Sequence, residues 1–140
     1  MNDDRVRDAL VWLVYALGDL EAARSQPGRY VRPRIIANLA QQAPEKALKA
    51  ALIFDGTNPH KSHDLDDLRN RLASRWRAKR RFPDLARLSR YATESRYPDD
   101  IEPVSPIQSA TAVRQARALV KSIVDDFERN GVRTTGLAPR

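Results

Sequence analysis

Residues 36–54, IANLAQQAPEKALKAALIF, place Ile36, Leu39, Ala40, Ala43, Ala47, Ala50, Ala51 and Phe54 at steps of three and four. That spacing lays them on one broad face of an α-helix. The loop Asp55-Gly56-Thr57-Asn58-Pro59 closes the helix, and Pro33 stands where a first helical turn tolerates proline. Pro44 interrupts the run. An interior proline removes one backbone donor and crowds the carbonyl four residues earlier, here that of Ala40, at a cost of about 3 kcal/mol, so a kink is expected.

Working outward, Val6, Leu10, Leu13, Leu17, Leu20 and Ala23 form the apolar stripe of a first helix entered through Asn2, Asp3 and Asp4. Acids at that end suit the helix dipole. Pro27 and Gly28 stop this helix near Ser25, so a turn joins two antiparallel helices. Downstream, Ser62 or Asp64 can cap a third helix burying Leu65, Leu68 and Leu72, and Phe82-Pro83-Asp84 starts a fourth with Leu85, Leu88 and Ala92 inside. Arg96 to Pro103 holds two prolines and no helical period, which predicts an extended loop. A last helix from about Pro106 is expected to bury Ala110, Val113, Ala116, Val120, Ile123 or Val124, and Phe127, ending at the Asn130-Gly131 cap signal.

The chain has 140 residues, enough for one core but not two. Its apolar fraction of 41% is carried by Ala, Leu, Val and Ile with only 6% aromatics, which suits closely packed helices and predicts an all-α class. Cysteine is absent, which excludes disulfides, thiolate metal sites and a cysteine nucleophile and agrees with a reducing compartment. The acidic N-terminus does not read as a secretory signal and no apolar run reaches a membrane span, so a cytoplasmic protein with no membrane association is expected. The net charge of +7 is concentrated between Arg69 and Arg90, where Arg69, Arg71, Arg75, Arg77, Lys79, Arg80, Arg81, Arg87 and Arg90 face a single acid, Asp84. Such a run suggests a surface for nucleic acid or for an acidic protein, with Arg75, Arg77, Lys79, Arg80 and Arg81 at its centre and Trp76 as either a core anchor or a stacking platform.

Four pieces occur in order: Trp12 to Asp19-Leu20 with Ala22-Ala23; Gln41-Gln42-Ala43-Pro44-Glu45-Lys46-Ala47-Leu48-Lys49-Ala50; His63-Asp64-Leu65; and Arg96-Tyr97-Pro98-Asp99. Together they resemble the HEPN family, the higher eukaryotes and prokaryotes nucleotide-binding domain, whose Gln-Gln-Ala-x-Glu-Lys-Ala-Leu-Lys-Ala signature the second piece approaches. The resemblance implies an up-and-down bundle of four to five helices, here over residues 1–131; past the Asn130-Gly131 cap signal, 132–140 are expected to form a flexible tail. It also implies a homodimer and, frequently, a minimal nucleotidyltransferase as partner in a two-component or toxin-antitoxin pair. Ribonuclease members carry an Arg followed after four to six residues by a His. Here the stretches before His60 and His63 contain no arginine at that spacing, which favours a non-catalytic branch.

On that reading Gln42, Lys46, Lys49, His63, Asp64, Arg96 and Tyr97 line or border a nucleotide cleft. Lys46 and Lys49 are three apart on the helix, so two ammonium groups can address one phosphate with Gln42 a turn earlier. His63 and Asp64 lie at a helix start that favours an anion, though Asp64 equally serves as a cap. Arg96 can fork onto a phosphate or carboxylate and Tyr97 can stack on a base. Asp19, an acid on the first helix, is expected to pair with one of these bases. The alternative is an RNA-cleaving toxin in which His63 is the titrating group. No cofactor is implied, and two histidines with no third ligand do not make a metal site.

Overall fold

The computed structural model describes residues 3–59, 61–92 and 103–134. It is all-helical there, with helices α1 (Asp3–Ala23), α2 (Pro33–Phe54), α3 (Leu65–Asn70), α4 (Ala78–Arg81), α5 (Ala86–Ser89) and α6 (Pro106–Arg129). The fold is thus the expected all-α bundle, built from three long helices and three short ones. The extra segment relative to the sequence reading is α4, a single turn inside the basic run. Among the described residues no helix is long and apolar enough to cross a membrane.

α2 is the central element, packed against α1, α6, α3 and α5. Its composition explains that position, because Ala37, Ala40, Ala43, Ala47, Ala50 and Ala51 are all buried and let neighbouring backbones come close. α2 runs continuously through Pro44, whose ring is itself buried. α1 lies antiparallel to it, since Lys49 meets Trp12 whereas Lys46, a turn earlier on α2, meets Tyr15 and Asp19, further along α1. The bottom of the bundle closes on three rings packed edge to face: Phe54, Trp76 and Phe127, with centroids 5.2–6.0 Å apart.

The helix ends follow the sequence signals. Asp64 caps α3 by accepting the amides of Asp66 at 3.0 Å and Asp67 at 3.3 Å. Ser105 and Gln108 form a reciprocal capping box at the start of α6, with Pro106 in the first turn. Gly56 ends α2 at φ +76°, a conformation L side chains rarely adopt, and the Arg5 side chain lies directly against it. Two expectations change on α6 and beyond. Ala110 is exposed, and Ser109 and Ala112 are buried instead, because the buried face starts one residue out of phase with the predicted stripe. Thr134, placed in the predicted tail, is buried and donates its hydroxyl to Glu128. Arg96 to Glu102, the start of the predicted loop, lies outside the described residues.

Candidate functional site

The most organised polar cluster begins with Glu45, a buried acid on the central helix. Gln41, one turn earlier, donates its amide to Glu45 Oε1 at 3.0 Å and to the His63 carbonyl at 3.1 Å. Lys49, one turn later, donates to Glu45 Oε2 at 3.3 Å and is likewise buried. His63 Nδ1 completes the set, 2.9 Å from Glu45 Oε1. Burial pushes the Glu45 carboxyl up, but the hydrogen bonds from Gln41 and His63 and the Lys49 charge outweigh it and hold the group below its ordinary value. With the carboxylate ionised, Nδ1 of His63 is the donor, and Nε2 is turned away from Glu45.

His63 keeps 53% of its side chain exposed and opens onto a groove of about 630 Å³ lined by Trp12, Lys49, Asn58, Pro59, Lys61 and His63. That volume suits a small organic ligand. The Lys49 ammonium lies 5.8 Å from the centre of the Trp12 ring, so the aromatic wall of the groove carries a cation over its face. Lys61 is exposed beside them. The groove therefore offers an indole surface, two ammonium groups and an imidazole fixed by a buried carboxylate.

Of the residues expected at the cleft, the structure brings Lys49 and His63 to this groove. Lys46 instead donates to Asp19 at 2.5 Å and lies 5.9 Å from the centre of the Tyr15 ring, so the two lysines each hold a separate acid. That Lys46 bond supplies Asp19 with its base. Gln42 donates to Asn38 at 2.6 Å. Asp64 is occupied as the α3 cap. Arg96, Tyr97 and His60 lie outside the described residues. Glu45, Gln41 and Lys61 carry the site without having been singled out. For Glu45 the signal was available, as an acid one turn from Lys49 on a helix whose other positions are mostly apolar.

The basic segment is largely engaged within the molecule. Trp76 is 0% exposed, which makes it the core anchor, and its indole donates to Asp55 at 2.7 Å. Arg75 pairs with the same Asp55, donates to Asn130 at 2.8 Å and lies over both Phe54 and Trp76. The buried Asp126 accepts the Arg77 amide at 2.7 Å, with the Arg77 guanidinium 3.8 Å away. Lys79 donates to the Asn70 and Leu72 carbonyls, Arg69 to Asp66 and the Phe82 carbonyl, and Arg71 to Asp67. Arg80, Arg81, Arg87 and Arg90 remain exposed.

A family model described as HEPN domain matches residues 9–129. No curated protein and no solved structure matches the chain.

Proposed function

The chain belongs to the HEPN family, and from that premise we propose that it is a non-catalytic nucleotide-binding or regulatory module whose ligand occupies the groove beside His63. The observation that carries this reading is the Gln41–Glu45–Lys49–His63 cluster, which fixes an imidazole and an ammonium on one wall beside the Trp12 ring. Phosphate oxygens have the Lys61 and Lys49 ammonium groups as donors, and a base has the Trp12 and Pro59 surfaces to lie against. The protein partner that fits the family is a minimal nucleotidyltransferase, with the chain itself acting as a homodimer in a two-component or toxin-antitoxin pair. Isothermal titration with ATP, GTP and their diphosphates tests the groove. Wild type is expected to bind at least one of them, and Lys61→Ala to bind about tenfold or more weakly for the loss of one charge-assisted contact. No heat of binding at millimolar nucleotide would end the proposal.

A second reading, RNA cleavage, is favoured by the His63–Glu45 pair. A carboxylate on Nδ1 orients the ring so that Nε2 can take a 2′-hydroxyl proton and return it to the leaving oxygen. No arginine lines the groove among the described residues, so the charge on the phosphate would have to be met by Lys49 and Lys61 or by a second subunit. Growth inhibition on expression that His63→Ala abolishes would establish this reading. Inhibition that survives in His63→Ala would remove it.

A further inference from the structure

The chain between Glu21 and Glu45 contains no acid, yet it carries Arg24, Arg29, Arg32 and Arg34 in and beside the α1–α2 connection. Arg24, Arg29 and Arg32 are exposed and Arg34 is half-buried. None of the four guanidinium groups takes an ion pair or a hydrogen bond among the described residues. Tyr30 stands between them with 77% of its surface exposed, flanked by the exposed Val31 and Ile35. The turn that presents it is closed by the Gly28 amide donating to the Val31 carbonyl at 2.8 Å. The Arg29 guanidinium lies 5.4 Å from the centre of the Tyr30 ring, so one face of the ring is covered by a cation.

We propose that this connection, Arg24 to Arg34 with Tyr30 at its centre, is a docking surface for single-stranded nucleic acid, separate from the groove beside His63. The charged groups are all arginines, whose planar fork matches phosphate oxygens two at a time. The one aromatic is exposed and positioned to take a base on its free face. Among the described residues no acid pairs with these arginines, so a phosphate bound there displaces no carboxylate. A duplex presents no free base face to Tyr30, and a folded acidic protein would leave that ring without a stacking partner, which is why a single strand fits best. The surface is also remote from the groove, since the sixteen helical steps from Pro33 to Lys49 span about 24 Å.

Fluorescence anisotropy of the full chain with labelled twelve-nucleotide uridine RNA and thymidine DNA strands, at 50 and 200 mM salt, tests this. With four phosphate contacts the logarithm of affinity should fall against the logarithm of salt with a slope of about −3. The combined variant Arg24→Gln, Arg29→Gln, Arg32→Gln, Arg34→Gln should lose most of that slope. Tyr30→Ala should weaken binding about 5- to 150-fold, while Tyr30→Phe stays near wild type because stacking needs only the ring. Lys61→Ala, which touches the groove alone, should leave strand binding unchanged, so failure of the nucleotide reading does not decide this one. Stronger binding of the RNA strand assigns RNA, and equal binding assigns the chemistry shared by both strands. Unaltered affinity in a folded quadruple variant overturns the proposal, as does Tyr30→Ala binding like wild type. Tight binding to anionic phosphatidylserine vesicles with none to either strand overturns it in favour of a lipid surface. Should the quadruple variant not fold, the exposed Tyr30→Ala and Tyr30→Phe pair still decides.

Discussion

Residues 69–90 and residues 24–34 both read as arginine-rich, and each holds an aromatic side chain among its cations. In the first, Trp76 is 0% exposed and bonded to Asp55, while Arg69, Arg71, Arg75, Arg77 and Lys79 reach acids or carbonyls of the same chain. In the second, Tyr30 is 77% exposed and, among the described residues, no guanidinium has an acid. The difference teaches that a run of positive charge measures the number of cations and not their availability. What decides is whether the fold brings carboxylates from elsewhere, as it brings Asp55 from the end of α2 and Asp126 from α6. The longer and more basic run is mainly architecture, and the shorter one is the freer surface.

The largest effect expected from this contrast is on stability. Trp76→Ala should cost about 3–5 kcal/mol in urea unfolding, the range for emptying a buried aromatic site. A loss below about 1 kcal/mol would mean that the ring is not the anchor described. Asp126→Ala comes next, at about 2 kcal/mol, because a buried carboxylate holding the Arg77 amide is lost. Its neighbour Asp125 pairs, among the described residues, with the exposed Lys121 alone, so Asp125→Ala should change stability by less than about 1 kcal/mol, and equal costs would erase the distinction.

A third test extends the contrast to the groove, where the charge is again buried and paired. The folded Glu45 carboxyl lies below its ordinary value of 4.5, so the unfolded chain takes up the proton first as pH falls. Its contribution is full above about pH 4.5 and is lost as pH drops through the lower folded value. Glu45→Gln should therefore flatten the acid limb of a melting-temperature profile, and an unchanged limb would mean that the carboxylate is not the group responsible. The smallest effect belongs to the tip. Tyr30→Ala should alter stability by no more than about 0.5 kcal/mol, and a larger loss would show that the ring is part of the core.

The long helices were legible because their period repeats over many turns, as in α2, where seven of the eight face residues named from the sequence are fully buried and Leu39 is partly so. α4 and α5 span four residues each, too few for a period to register against their neighbours. Ala110 misled because alanine neither marks an inner nor an outer face, and the true contacts at that end of α6 are Ser109 and Ala112. At the site, Lys49 and His63 were legible through the family signature. Glu45 stands inside that signature and its spacing to Lys49 was a signal, but an acid followed by two lysines reads as a solvated position until a helix buried on several sides is in view. The engagement of the basic segment could not be read locally at all, since Asp55 and Asp126 lie some 20 and 50 residues from their partners.

Asp55 joins elements that are far apart in the chain. It sits at the C-terminal end of α2, takes the Trp76 indole and the Arg75 guanidinium, and through Arg75 reaches Asn130 beyond α6. Three segments distant in sequence are thus tied together by one carboxylate and one guanidinium beside the Phe54, Trp76 and Phe127 rings. Local opening of any one exposes the others to water, so their amides are expected to exchange with solvent hydrogen as a single cooperative unit. The α1–α2 connection, which shares none of these links among the described residues, is expected to exchange on its own and faster. The molecule is in this sense divided along its length into an end that opens only as a whole and an end that is free to adjust.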